Sequence, residues 1–254
     1  MPPLISVVIP AYNEEARLRD SVVSVMAAAK QAGDVPIEIV VVDDGSRDKT
    51  PEVVRGLEAE FPNVRSVTHA VNQGFGATVK DGIRAAKGDK LCLFPGDNAT
   101  SVYSMKNVFL HSRDADMVIG YFMDTEKRSR FRNAFSTVFN QVYCLTFNVH
   151  VRYLQGSPCY PLDRLRQITI RTDGLSILAE INVKLLRGGA SFIEVDGYYN
   201  PEMSKSSMVG LRALLRAVTH AAWNYLQLVY EVYVSTPDLY NHRPTRVTPP
   251  GVAR

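Results

Sequence analysis

The chain has 254 residues, 46% of them hydrophobic and 22% charged, which marks a globular protein with material for one large core. A formal net charge of +3 is too small to imply nucleic-acid binding, and three scattered cysteines (Cys92, Cys144, Cys159) lack metal-ligand spacing, so reduced thiols are expected. No signal-peptide pattern opens the chain and no run reaches about 18 uncharged apolar residues, so neither a leader nor a membrane span is expected. A cytoplasmic protein is expected, with peripheral contact to the cytoplasmic membrane face left open.

Leu4 to Ile9 is a β-branched run stopped by Pro10, the pattern of a buried parallel strand. A helical pattern then extends to about Ala32, with Asn13 as its expected N-cap and Glu14 and Glu15 in the first turn. Ile37 to Val42 predicts a second buried strand ending at Asp43-Asp44-Gly45-Ser46. Thr50-Pro51 offers an N-cap and a first-turn proline for a helix to about Glu60. Val64 to Ala70 predicts a third strand, and Asn72-Gln-Gly-Phe-Gly76 a glycine turn into a helix ending near Gly88. Leu91 to Phe94 predicts a fourth strand, which Pro95-Gly96 must turn out of the sheet, leaving Asp97 at its carboxyl end.

Strand and helix thus alternate up to Asn98, the pattern of an α/β, doubly wound and mostly parallel sheet. Ligands of such sheets bind beyond the carboxyl ends of the strands, where Asp43, Asp44 and Asp97 converge. Carboxylates beside a glycine-bearing helix start suit a nucleotide bound with a divalent ion. Taken singly the motifs are weaker: Asp43 to Ser46 also reads as a capped βα turn, and Gly74-Phe-Gly76 lacks the third glycine of a dinucleotide fingerprint.

Past Asn98 the pattern loosens. Met117 to Gly120 predicts a short strand, and Glu126 to about Phe147 a helix opened by Lys127, Arg128, Arg130 and Arg132. Gly174 to Leu186 predicts a helix carrying Glu180, and Ser191 to Val195 a strand. Val209 to Val234 is a long helical pattern with Arg212, Arg216, Trp223, Tyr225, Tyr230 and Tyr233. It suits packing on the domain or an amphipathic segment at a bilayer interface. The tail after Pro237 is expected to be poorly ordered. The organisation expected is a domain over 1–206, an amphipathic helical region over 207–236 and a flexible tail over 237–254.

Ser6-Val-Val-Ile-Pro-Ala-Tyr-Asn-Glu-Glu15, Glu38-Ile-Val-Val-Val-Asp-Asp-Gly-Ser46 and Asn72-Gln-Gly-Phe-Gly76, in that order, resemble family 2 nucleotide-sugar glycosyltransferases, the inverting GT-A class. Within it the pattern looks like the dolichol- and polyprenol-phosphate sugar synthases. The resemblance is close over residues 4–120 and looser to about residue 210. It implies a GT-A fold with a nucleotide-binding N-terminal half, and transfer of a hexose from a GDP-mannose or UDP-glucose type donor to a polyprenyl phosphate. Pro10, Tyr12, Glu14, Val42 and Asp44 would then line the nucleotide pocket and Lys205 would approach the phosphates. Asp97 would be the last carboxylate of the family's Asp-x-Asp motif, holding Mg²⁺ or Mn²⁺.

Two departures accompany the resemblance. Pro95 stands where the first aspartate of that motif belongs, leaving Asp97 with Asn98 as an auxiliary oxygen. Phe122 and Tyr199 stand where the lipid-phosphate synthases carry arginines, for which Arg130 and Arg132 are the substitute phosphate ligands. Glu180 is the candidate general base for a hydroxyl acceptor, whereas a phosphate acceptor, with its second pKa of about 6, needs none. The alternatives are transfer to a hydroxyl of a glycan or small molecule, and a catalytically silent GT-A domain that binds nucleotide or a partner. The five histidines show no triad or zinc spacing and read as structural.

Overall fold

The β-branched runs form the centre of a single eight-stranded sheet in a computed structural model that describes residues 3–127, 130–200 and 211–248. β1 (Ile5–Ala11), β2 (Ile37–Asp43), β3 (Val64–Thr68) and β4 (Lys90–Leu93) are parallel, in the order β3-β2-β1-β4. Next to them β5 (Met117–Phe122) joins β4 through the antiparallel β6 (Pro158–Pro161). β7 (Ser191–Gly197) and β8 (Thr245–Arg246) extend the sheet parallel to β5.

Side chains alternate along the central strands, so each strand feeds two cores. Val8, Val40, Val42, Leu91 and Leu93 face one cluster, and Val7, Ile9, Ile39, Val41 and Phe94 the other. The second is covered by α1 (Leu18–Gln31), α2 (Thr50–Glu60) and α4 (Val102–Leu110). The first is covered by α3 (Phe75–Ala85), α5 (Arg130–Phe147), α6 (Leu162–Gln167), α7 (Ile177–Arg187) and α8 (Leu211–Tyr230). Burial on both faces is what a near-continuous Val/Ile strand requires. Each such side chain fully removed from water contributes about 1.5–3 kcal/mol.

Two expectations need correction, and one strand was not foreseen. Asn13 does not cap α1, which starts at Leu18; Asn13 is left-handed, at φ 57°, and its Oδ1 accepts the Arg47 N–H at 2.9 Å. The segment after Pro237 is not a loose tail as far as residue 248. A 3₁₀ turn over Pro237–Tyr240 buries Tyr240, β8 pairs with β7, and the Val247 N–H donates to Phe192 O at 2.7 Å. β6, bracketed by two prolines, lies inside the sheet rather than at an edge, which strand-proline reasoning disfavours. Its pairing is short, with prolines at both ends and Cys159 between Cys92 and Val118.

Candidate active site

The carboxyl ends of β1, β2 and β4 meet in a set of loops that hydrogen-bond one another. Pro95-Gly96 leaves β4 and crosses β1, where the Gly96 N–H donates to Pro10 O at 3.1 Å. A Cβ on Gly96 would stand 2.8 Å from that oxygen, so the close crossing needs glycine. From α1, Ser21 Oγ donates to Pro95 O at 2.9 Å. Asp97 is thereby held over the end of β1, with Oδ1 accepting the Ala99 N–H at 3.0 Å. Asn98 is left-handed at φ 55°, and its Oδ1 is buried with no protein hydrogen-bond partner. Residues 99–101 are clamped to the segment that follows β7: the Asn200 N–H donates to Ala99 O at 2.8 Å and Thr100 forms an isolated antiparallel bridge with Tyr199.

The loops after β1 and β2 are bound as a pair. The Asn13 N–H donates to Ser46 Oγ, the Glu14 N–H to Thr50 Oγ1 at 2.8 Å, and the Lys49 N–H to Glu15 Oε2 at 2.8 Å. Tyr12 is left 41% exposed beside them. Glu14 is half-buried; burial, and then the nearby charge of Asp97, raise its carboxyl above the ordinary value. Two carboxylates are thus crowded at one place on the sheet edge.

Of the pocket residues expected from the sequence, Pro10, Tyr12, Glu14, Val42 and Asp44 all fall on this edge, at the ends of β1 and β2. Asp44 has an additional task within the protein. Oδ1 accepts the Gln73 N–H and Oδ2 the Gly74 N–H, each at 2.8 Å, so the carboxylate fixes the turn into α3. Gly74 takes φ 94° there, and Gly76 lies so close to the Asp173 backbone that a Cβ would come within 2.4 Å. Arg130 and Arg132 are exposed at the start of α5, on the chain that leaves β5. Lys205 lies outside the described residues.

Glu180 does not fit the general-base role. It is 4% exposed in α7, and its oxygens accept the Arg171 N–H at 3.0 Å, the Thr172 N–H at 2.8 Å and Lys184 Nζ at 2.8 Å. Burial pushes its pKa up, but Lys184 and the Arg171 and Thr172 bonds outweigh that and hold it below the ordinary carboxylate value. Lys184, fully buried, also pairs with Glu231 at 2.8 Å. A carboxylate with its proton affinity lowered and its oxygens occupied is a poor acceptor for a hydroxyl proton.

A family model described as "Glycosyl transferase family 2" matches residues 6–155. The chain belongs to glycosyl transferase family 2. Among its relatives, a dolichyl-phosphate beta-glucosyltransferase of Trichomonas vaginalis is 32% identical over 136 residues, covering 50% of this chain and 42% of the relative. A dolichyl-phosphate beta-glucosyltransferase of Dictyostelium discoideum is 25% identical over 226 residues, covering 76% of this chain and 67% of the relative. The chain thus spans from under half to about two thirds of the length of these relatives. Among solved structures, glucosyl-3-phosphoglycerate synthase of Mycobacterium tuberculosis in complex with Mg²⁺ and UDP superposes at a TM-score of 0.66 and 17% identity, covering 89% of this chain and 79% of that one. The family 2 chain therefore has the GT-A fold.

Sequence reasoning missed two features beside these candidate residues. Phe122 and Tyr199, at the end of β5 and just past β7, stack at 4.0 Å between ring centroids and 12° between planes, so the expected arginine positions hold an aromatic stack with Tyr199 buried. His69, read as merely structural, is bonded to Asp44 itself. Neither was visible as a motif, because each pair is made by residues far apart in sequence.

Proposed function

We propose that the chain is an inverting glycosyltransferase that moves a hexose from a nucleoside-diphosphate donor to a polyprenyl phosphate. The Asp97-Asn98 loop carries this reading: consecutive residues supply a carboxylate, next to the charge of Glu14, and a buried amide oxygen with no protein partner. Such oxygens fit a hard divalent cation. No group of three or more His, Cys, Asp or Glu is placed to hold a metal among the described residues, so diphosphate oxygens and water would complete its shell. Magnesium is commonly bound through only one or two carboxylates plus substrate phosphates. Asp97 and Asn98 would hold Mg²⁺ or Mn²⁺, which when bound supplies charge neutralisation for the leaving diphosphate.

Pro10, Tyr12, Glu14, Val42 and Asp44 would line the nucleotide pocket, and Arg130, Arg132 and Lys205 would face phosphate. The relatives' names favour glucose as the sugar, and the UDP in the neighbouring structures favours a UDP donor. A phosphate acceptor is favoured over a hydroxyl because the expected base, Glu180, is sealed into an ion pair. A phosphate monoester arrives already ionised and needs no base.

Contact with a membrane surface belongs to the same reading. No helix among the described residues is long and apolar enough to cross a membrane. Leu145 of α5 is 82% exposed and Trp223 of α8 61%, with Phe135, Val138, Leu226 and Tyr230 also exposed. The two helices touch through Tyr143 and Tyr225 at 5.3 Å, and neither 133–147 nor 219–230 contains Asp, Glu, Lys or Arg. An uncharged aromatic and aliphatic face of this kind suits the interfacial region of a bilayer, with the chain peripheral on the cytoplasmic side.

The test is a transfer assay with UDP-glucose and GDP-mannose against a polyprenyl phosphate in detergent, with Mg²⁺, Mn²⁺ or a chelator. Cation-dependent formation of a lipid-linked sugar is expected. Transfer only to soluble glycan hydroxyls would replace the acceptor. Nucleotide binding without turnover makes the chain a silent GT-A domain.

A further inference from the structure

His69 stands just past the end of β3 with its side chain 4% exposed. Its backbone N–H donates to Asp43 O at 2.9 Å, tying it to the end of β2. Nδ1 lies 2.8 Å from Asp44 Oδ1, and Nε2 lies 2.8 Å from Asp81 Oδ2 on α3. Asp81 is in turn paired with Arg84. Each ring nitrogen thus has a carboxylate oxygen within hydrogen-bond distance, so the ring bridges β2 and α3. Asp44, through its remaining bonds, holds the Gln73 and Gly74 amides of the turn into α3.

The order of contacts runs from α3 through Asp81 and His69 to Asp44, and from Asp44 back to the turn that opens α3. Asp44 is 3% exposed and sits between strand end and turn; without the ring its Oδ1 would keep only the Gln73 N–H, one partner fewer for a carboxylate in a low-dielectric place. Gly45 allows no retreat: at φ 68° its Cβ position is 2.6 Å from Val71 C, so the β2 turn already presses on the chain after His69. Ring, carboxylate and turn therefore have one arrangement.

We propose that His69, backed by Asp81, is a positioning residue for the donor nucleotide, fixing Asp44 and the 72–74 turn in the conformation that receives it. The proposal rests on the reading that Asp44 borders the nucleotide pocket. His69 itself touches no reacting atom. It acts by making the pocket wall rigid before the ligand arrives, which lowers the ordering cost of binding.

Titration of the purified chain with UDP in the presence of Mg²⁺, beside thermal melts, tests this with His69→Asn and His69→Gln. An Asn amide nitrogen reaches the place of Nδ1 and keeps the bond to Asp44; a Gln amide nitrogen reaches the place of Nε2 and keeps only the bond to Asp81. H69Q is expected to raise Kd for UDP about tenfold and H69N no more than about threefold, as loss or retention of one charge-assisted hydrogen bond implies. If H69Q does not fold, His69→Ala, which also lacks the bond to Asp44 and adds no bulk, takes its place, with the same tenfold expectation against about threefold for H69N. A merely structural His69 predicts equal Kd in the folded fractions of both Asn and Gln variants, and that result would overturn the proposal. Absence of UDP and GDP binding by the unsubstituted chain would instead overturn the donor-site reading, and this proposal with it.

Discussion

Replacing Glu180 by Gln separates a structural carboxylate from a catalytic one. In the native chain its oxygens accept two backbone N–H groups, from Arg171 and Thr172, and the Lys184 ammonium, all within 3.0 Å. Gln keeps one accepting oxygen and turns an NH₂ toward a donor, so at least one of these bonds is lost and one donor is left facing another. Lys184, 0% exposed, then has only Glu231 as its counter-charge. A hydrogen bond to a charged group contributes about 1.5–3 kcal/mol, and breaking a buried pair costs about 3–5, so E180Q should lose about 3 kcal/mol. For a chain of this size that is a fall in Tm of about 6–12 °C. Denaturant or thermal unfolding followed by circular dichroism measures it, with transfer rate measured well below the melt. A general base would behave in the opposite way, with stability kept and rate down about 10²–10⁴-fold. A variant that melts with the wild type but has lost its turnover would refute the structural assignment. The same carboxyl sets a pH dependence. Its folded pKa is depressed, so its stabilising contribution is complete above the unfolded value of about 4.3 and disappears as pH falls through the folded value. Wild-type stability should therefore drop more steeply on acidification below about pH 4.3 than that of E180Q.

Asp97→Asn should leave the melt within about 1 kcal/mol, because the loop keeps its Ala99 bond through the amide oxygen, while cation-dependent transfer falls by about 10²-fold or more. Undiminished, metal-stimulated turnover in D97N would remove Asp97 from the site. Gly76→Ala should cost about 3 kcal/mol or fail to fold, since its Cβ would meet the Asp173 backbone at 2.4–2.5 Å, measured by urea unfolding. Leu145→Ser with Trp223→Ser should reduce co-sedimentation with anionic phospholipid vesicles without lowering Tm, both side chains being exposed. Equal partitioning of that double variant and the wild type would discard the interfacial face.

The strands and the residues at their ends were legible in the sequence because they depend on local rules. A β-branched run ended by Pro10, by Asp43-Asp44-Gly45 or by Pro95-Gly96 states both where a strand lies and which residue is left at its end. The order Ser6 to Glu15, Glu38 to Ser46 and Asn72 to Gly76 carried the family for the same reason, since each segment is a contiguous loop with one required geometry. What the sequence could not supply was every property that depends on a distant partner. Glu180 reads alike as a base or a salt-bridged carboxylate until the fold brings Thr172, Lys184 and Glu231 around it. Asn13 has the chemistry of a helix cap, and only the neighbouring loop decides that it serves Arg47 instead. β6 could be found only through its neighbours, because Pro158 to Pro161 has no strand signal and is held by β4 and β5 on either side. Local periodicity and turn chemistry fixed where the strands and their end residues lie; burial, charge and pairing of those side chains were decided by contacts across the sheet, where separation in sequence is no guide to distance in space.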